Sequence, residues 1–254
     1  MERISVVIIS LNEERDIGRC LASVKEIADE IVVVDSYSTD STEEICKSFN
    51  ANFIQHKFEG YILQKNYALT KAKFDMVLSL DADEELSEEL KQSILSVKKK
   101  FKADGYKMNR LTRVGDKWIK HSGWYPDTKL RLFNRKKGEW TGLNPHDEYK
   151  YFEDSKLVLL KGDLLHHSFY DFDELEKQSD NFARLGAKAY YEKGKKAPFL
   201  KVIFNPALRF GRDYFFNGGV IHGKTGLKIS INNAKSTFKK YKYLRELYID
   251  HSKV

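Results

Sequence analysis

The chain has 254 residues, 41% of them apolar by type, and no polar low-complexity tract. This is enough to bury a full core and excludes a disordered or fibrous protein. The formal charge of +7 is lopsided, since residues 184–254 carry 16 Lys/Arg against 4 Asp/Glu, leaving 28 basic and 33 acidic residues on the first 183.

Two cysteines, Cys20 and Cys46, stand far apart with no C-x-x-C or Cys/His cluster. They read as small core residues of a reducing compartment, not as a disulfide framework or a zinc site. The start, Met1-Glu2-Arg3, a short apolar run and then Asn12-Glu13-Glu14, is charged too soon for a signal peptide. No window reaches the roughly 18–20 apolar residues of a membrane span. A cytoplasmic protein is expected.

The first hundred residues alternate strand and helix patterns. Strands are expected over Ile4–Ile9, Ile31–Val34, Asn52–Gln55 and Met76–Leu80. Helices are expected over Glu13–Lys25, from Ser41 to about Phe49 behind a capping box Ser41-Thr42-Glu43-Glu44, over Gly60–Ala72 and over Ser87–Phe101. This alternation predicts an α/β fold with a mostly parallel sheet flanked by helices. In such sheets ligands bind beyond the carboxyl ends of the strands. Three of those ends carry polar clusters: Asn12-Glu13, Asp35 with Ser38 and Asp40, and Asp81-Ala82-Asp83. Short strands follow at Tyr106–Leu111, Trp118–His121, Lys129–Phe133 and Lys156–Leu160, suiting mixed or antiparallel structure. A helix is predicted over Phe172–Lys193 with Leu175, Phe182, Leu185 and Ala189 on one side. The last fifty residues read as helices interrupted by Pro198, Pro206 and Gly218-Gly219. Three segments result: 1–104, an α/β half; 105–170, a mixed or antiparallel region of the same domain; 171–254, a basic helical extension.

Asp81 and Asp83 lie two apart at a strand end, so both carboxylates are expected to leave it together. Such a pair needs a cation between its charges, and oxygen ligands suit Mg²⁺ or Mn²⁺ bound to substrate phosphate. A solvated acidic loop, continued by Glu84, Glu85, Glu88 and Glu89, is the alternative. No G-x-G-x-x-G follows the first strand, no P-loop occurs, and no G-x-S-x-G appears. A nucleotide here would be held by side chains and metal. Asp35 can accept from a pyrimidine ring N–H while the Asp-X-Asp cation bridges a diphosphate, as a nucleotide-diphospho-sugar site requires.

The runs Val6-Val7-Ile8-Ile9-Ser10-Leu11-Asn12-Glu13-Glu14, Val32-Val33-Val34-Asp35-Ser36-Tyr37-Ser38-Thr39-Asp40-Ser41-Thr42 and Leu80-Asp81-Ala82-Asp83-Glu84 resemble the inverting glycosyltransferase family 2, of GT-A fold. The stretch His121-Ser122-Gly123-Trp124-Tyr125-Pro126-Asp127, then Leu130-Arg131-Leu132-Phe133, Trp140, His146-Asp147 and His166, is similar to its lipopolysaccharide-core glucosyltransferase branch. So is the late run Gly218-Gly219-Val220-Ile221-His222-Gly223-Lys224-Thr225-Gly226-Leu227. Each motif alone is weak. Their common order, over nearly the whole chain, is specific.

The resemblance implies a UDP-hexose donor, a divalent metal, and a glycolipid acceptor such as the lipopolysaccharide core. It puts Asn12 and Glu13 at the nucleoside, Asp35 at the uracil, Asp81 near the ribose and diphosphate, and Asp83 on the metal. Lys65 falls at a position near the nucleotide, or is an exposed helix lysine. One carboxylate would take the acceptor proton; the branch reads His-Glu where this chain reads His146-Asp147-Glu148, which leaves Asp147, the favoured choice, or Glu148. His166 is a metal ligand, a diphosphate donor or a structural histidine. Trp124 would stack on an acceptor sugar or pack in a core, and Arg131 would pair with phosphate or brace Asp127.

The basic C-terminal extension, with Phe210, Tyr214, Phe215, Phe216, Tyr241, Tyr243, Leu244 and Leu247 among its cations, suits an amphipathic helix on an anionic leaflet. That would make the protein peripheral on the inner face of the cytoplasmic membrane. A solvated basic face is the second reading, and nucleic acid is not expected. The expected activity is metal-dependent inverting sugar transfer. Alternatives are transfer to a polyprenyl phosphate, or a non-catalytic nucleotide- or nucleic-acid-binding protein.

Overall fold

The structure, a computed structural model, describes residues 1–143 and 146–251. It falls into two compact units between which the chain crosses three times. One comprises Met1–Leu111 with Asp127–His167, the other Thr112–Pro126 with the chain from Ser168 on.

In the first unit β1 (Ile4–Ser10), α1 (Ile17–Val24), β2 (Glu30–Asp35), α2 (Thr42–Ser48), β3 (Asn52–Gln55), α3 (Tyr61–Lys71) and β4 (Met76–Asp81) alternate as expected. Then come β5 (Glu84–Leu86), α4 (Glu88–Lys98) and β6 (Gly105–Val114). A two-residue β7 (Lys117–Trp118) belongs to the second unit. The first unit continues with β8 (Asp127–Asn134), β9 (Gly138–Leu143), β10 (His146–Tyr151) and β11 (Leu157–Phe169). The sheet order is β3-β2-β1-β4-β8-β6-β11-β5, while β9 and β10 form a separate hairpin. Strands β3, β2, β1 and β4 are parallel. From β8 on, pairing with β4 and β6 is antiparallel. The α/β architecture is therefore as anticipated.

Alternation along β1 explains why both faces need cover. Ile4, Val6 and Ile8 join α1's Ile17, Leu21 and Val24 in one core cluster. Val7 faces the other way, with Val32, Val34, Val77, α3's Ala68 and Leu69, and Phe133, Trp140 and Tyr149. Truncating a buried leucine such as Leu21 would cost about 2–5 kcal/mol. Cys20 and Cys46 are buried free thiols.

Several local expectations change. Helix α1 starts at Ile17, because the Asn12, Glu13 and Glu14 N–H groups are taken by Ser38 Oγ, Thr42 Oγ1 and Asp40 Oδ2 of the next loop. The Ser41 capping box does not form: Ser41 makes no side-chain cap bond, and Asp40 accepts from the Thr42 N–H and hydroxyl instead. Asp83 lies in a turn after β4, so strand alternation does not carry over from Asp81. Strand β11 runs thirteen residues where five were expected, and the β9–β10 hairpin was not foreseen.

The second unit packs α5 (Phe172–Glu192), α6 (Phe199–Gly211) and α7 (Gly223–His251). A wide π-type turn at Arg212–Phe216 and a 3-10 turn at Gly219–His222 link α6 to α7. Its core gathers Val114, Ile119, Phe169, Leu175 and Ile229 beside Trp124 and Phe172. Helix α5 buries Leu175, Ala183 and Ala187 and leaves Phe182 and Leu185 exposed. Small residues let α7 approach closely, bonded through Asn232 to Ser179 and through Tyr243 to Asp180. Pro206 does not interrupt α6, which runs through it and forgoes one backbone bond. The late glycine run serves close packing: a Cβ on Gly226 would overlap the Gly219 carbonyl. No helix among the described residues is long and apolar enough to cross a membrane.

Candidate active site

The parallel strands end together. Ser10 pairs with Asp35 across β1 and β2, and Ile9 with Asp81 across β1 and β4. Asp35 is fully buried. Its Oδ1 accepts from the Ser10 and Ser38 hydroxyls, and its Oδ2 from the Ser38 N–H at 2.7 Å. Asn12, left-handed at φ 54°, accepts from the Thr39 N–H at 2.8 Å. Asn12 and Asp35 thus zip the first two strand-end loops together.

Lys65 is not an exposed helix lysine. It lies on the inner face of α3, 4% exposed, with its Nζ 3.0 Å from Asp81 Oδ1 and 2.8 Å from Asp147 Oδ2. Its ammonium also sits 4.7 Å from the centre of the Trp140 ring. Asn66, one residue on, clamps the Trp140 backbone through its amide, donating to the carbonyl and accepting from the N–H, both at 2.9 Å. That double bond ties β9 to α3, and β10, paired to β9, brings Asp147 to Lys65.

Adjacent strand residues point to opposite faces. Glu148 accordingly is 60% exposed and pairs with Lys150, while Asp147 is 12% exposed. Only Asp147 of the two joins the Lys65–Asp81 cluster.

Arg131, from β8, does not brace Asp127, which pairs with Arg110 and Lys129. It is buried and reaches Asp81 Oδ2 at 2.7 Å and Glu84 Oε1 at 2.6 Å. Glu84 is fully buried and also accepts from the Asp81 N–H. Sequence reasoning left Glu84 in a solvated acidic run; the signal was its place directly after Asp81-Ala82-Asp83, with an arginine available on a central strand. Burial works against the Asp81 charge, yet Arg131 and Lys65 hold its carboxyl far below the ordinary range. Burial, and next the Asp81 charge, push the phenol of the neighbouring Tyr61 up. Tyr61, Asn66 and Trp140 were not singled out as parts of this cluster, because none carries a charge pattern that marks it.

Asp83 turns to a different partner, His166 Nε2 on β11, 3.1 Å from its Oδ2. Burial opposes ionisation of Asp83, but the imidazole beside it holds the carboxyl below its usual value. Glu13 feels the opposite balance: burial, then the charges of Asp83 and Asp16, push its carboxyl up to about 8. That shift reflects burial first and the neighbouring acids second. Among the described residues no group of three or more His, Cys, Asp or Glu surrounds a point. One carboxylate oxygen and one imidazole nitrogen converge, a donor set that fits a partly hydrated Mn²⁺ or Mg²⁺ completed by water and substrate phosphate. His167 turns to Glu85 instead. Trp124 belongs to the second unit, half-buried with its ring 6.0 Å from that of Phe169.

A parallel half-sheet with acids at its carboxyl ends, joined to antiparallel strands that deliver a further carboxylate, is the framework of a GT-A glycosyltransferase. A family model described as glycosyl transferase family 2 matches residues 5–152. An uncharacterized glycosyltransferase of Rickettsia typhi is 32% identical over 97% of this chain and 88% of its own length. The lipopolysaccharide core biosynthesis glycosyltransferase LpsC of Rhizobium meliloti is 29% identical over 94% of this chain and 93% of its own. The crystal structure of S. aureus TarS 1–349 is 15% identical with a TM-score of 0.47, covering 98% of this chain and 92% of that one. The chain belongs to glycosyl transferase family 2.

Proposed function

We propose that this glycosyltransferase is an inverting, metal-dependent hexosyltransferase that moves sugar from a UDP-sugar to a cell-envelope glycolipid of the lipopolysaccharide-core kind. The observation that carries the reading is the bridge from Asp81 through Lys65 to Asp147, which sets one shielded carboxylate beside the strand-end acids. The name of the Rhizobium meliloti relative supports the acceptor class.

In this reading Asp147 accepts the proton of the acceptor hydroxyl as its oxygen attacks the anomeric carbon and the nucleoside diphosphate departs. Lys65 holds Asp147 in place through their 2.8 Å ion pair. Asp83 and His166 hold the divalent ion, which when bound neutralises charge on the leaving phosphates. Asn12, Glu13 and Asp35 shape the nucleoside end, with Asp81 and Arg131 behind the diphosphate. One base suffices, because the leaving diphosphate needs no protein acid.

The test is a thermal-shift panel of UDP-, GDP-, CMP- and dTDP-sugars with and without Mn²⁺, followed by turnover of the donor that binds. A UDP-sugar with Mn²⁺ should raise the melting temperature, and Asp83→Ala should remove the metal requirement together with the binding. Asp147→Asn should lower kcat by about 10²–10⁴-fold, while Glu148→Gln, on an exposed side chain, should stay within about threefold. Absence of any nucleotide effect in the presence of metal defeats the proposal. Full turnover in Asp147→Asn points instead to a phosphate acceptor, which needs no base.

A further inference from the structure

Helix α6 is inside out. Its inward side is polar: the Asn205 amide donates to the Tyr241 hydroxyl at 2.8 Å, and Arg209 pairs with the fully buried Asp213. Val202 is the one residue of α6 that is buried. The outward side is apolar, with Leu200 65%, Phe204 57% and Leu208 68% exposed, flanked by Phe199 and Ile203. At 1.5 Å per residue this helix presents a stripe about 20 Å long. A stripe of this size on a helix needs a partner.

Charge narrows the choice of partner. Residues 193–212 contain six Lys/Arg and no Asp or Glu, and Lys193, Lys195, Lys196, Lys201 and Arg212 are exposed. A second copy meeting the same face would set these cations against each other. An apolar strip beside these exposed cations matches the acyl–headgroup boundary of an anionic leaflet. The helix is too short to span a bilayer.

We propose that the outer face of α6 is a docking surface for an anionic phospholipid bilayer, on which the helix lies in the plane of the interface. Sequence patterning spread this role over the whole basic extension; the structure concentrates it. Helix α7 commits Tyr243 to Asp180 and buries Leu244, while α6 presents Leu200, Phe204 and Leu208 outward along one face. The proposal stands independently of the donor and acceptor assignments, because vesicle binding is read without turnover.

The experiment is co-sedimentation of the full chain with vesicles of phosphatidylglycerol and phosphatidylcholine in equal parts, and with phosphatidylcholine alone. Binding should be at least about tenfold stronger to the anionic vesicles and fall with added salt, as Debye screening requires. Leu200→Glu combined with Phe204→Glu should weaken it by at least about tenfold. Both side chains are exposed, so the thermal melt should be unchanged. Should that pair nevertheless unfold, Phe204→Trp decides the matter: its emission should shift to the blue on anionic vesicles. Failure to bind anionic vesicles, binding undiminished in the folded double variant, or no spectral shift overturns the proposal. So does a concentration-dependent dimer that the double variant dissolves.

Discussion

Replacing Lys65 with methionine keeps an unbranched side chain and deletes the ammonium that lies over Trp140 and between Asp81 and Asp147. At 2.8–3.0 Å and an effective dielectric near 20, each attraction is worth about 5–6 kcal/mol in Coulomb terms. Much of that offsets the desolvation of a lysine left 4% exposed. The measurable loss is therefore the cost of leaving buried carboxylates without their cation, about 3–5 kcal/mol, a large part of a typical total stability. Asp81 retains Arg131, so the greater disturbance falls on Asp147. The pH dependence has a defined sign. The Asp81 carboxyl is held below its ordinary 3.8 in the folded chain, so its contribution is present above that pH and lost as pH falls through the folded value. The gap between wild type and Lys65→Met should be full at pH 7 and close under acid conditions as the stranded carboxylates take up protons. Urea unfolding followed by tryptophan fluorescence at both pH values measures it. A variant within about 1 kcal/mol of wild type at pH 7, or a gap that widens toward acid, refutes the reasoning.

Glu13→Gln should act in the opposite direction. A carboxyl raised from 4.5 to about 8 contributes stability below its unfolded value and loses it as pH rises toward 8, so the neutral amide should be more stable than wild type at pH 8.5, by roughly 2 kcal/mol after allowing for solvent screening. The two proteins should match at pH 4.5; thermal melts at both pH values check this, and a less stable Gln variant at pH 8.5 counts against it. Gly138→Ala tests the hairpin that carries Asp147. A Cβ there would overlap the Lys150 carbonyl oxygen across the β9–β10 pair, so the variant should lose about 1–3 kcal/mol and lose turnover along with it. Unchanged turnover would show that the hairpin does not position the base.

Glu148 and Asp147 illustrate where sequence reading stops. Both are acids beside His146, and the family pattern alone leaves either as base. Strand alternation states that only one can face the cluster, but which one depends on the register of β10 against β9 and on the Asn66 clamp, 74 residues away along the chain from Trp140. Lys65 shows the same limit. Its place in a helix was legible, but its burial was not, because burial required Trp140 beneath it and two carboxylates from strands β4 and β10. Glu84 was hidden for the opposite reason: it sits in an acidic run that looks solvated until Arg131 arrives from β8.

What the sequence determined by itself was local and periodic. Apolar runs specified β1, β2 and β4, the helical spacing of Ile17, Leu21 and Val24 specified α1, and the ordered loop motifs specified the family, the α/β fold and the enzyme class. These are properties of neighbouring residues, and the chain carries them wherever it folds. Tertiary structure decided which charges meet. It separated Asp81, held by Lys65 and Arg131, from Asp83, paired to His166. It also turned the apolar side of α6 outward, because Asn205 and Arg209 found their partners in Tyr241 and Asp213. Ion pairing and helix orientation are settled by residues distant in sequence, so no local pattern announces them.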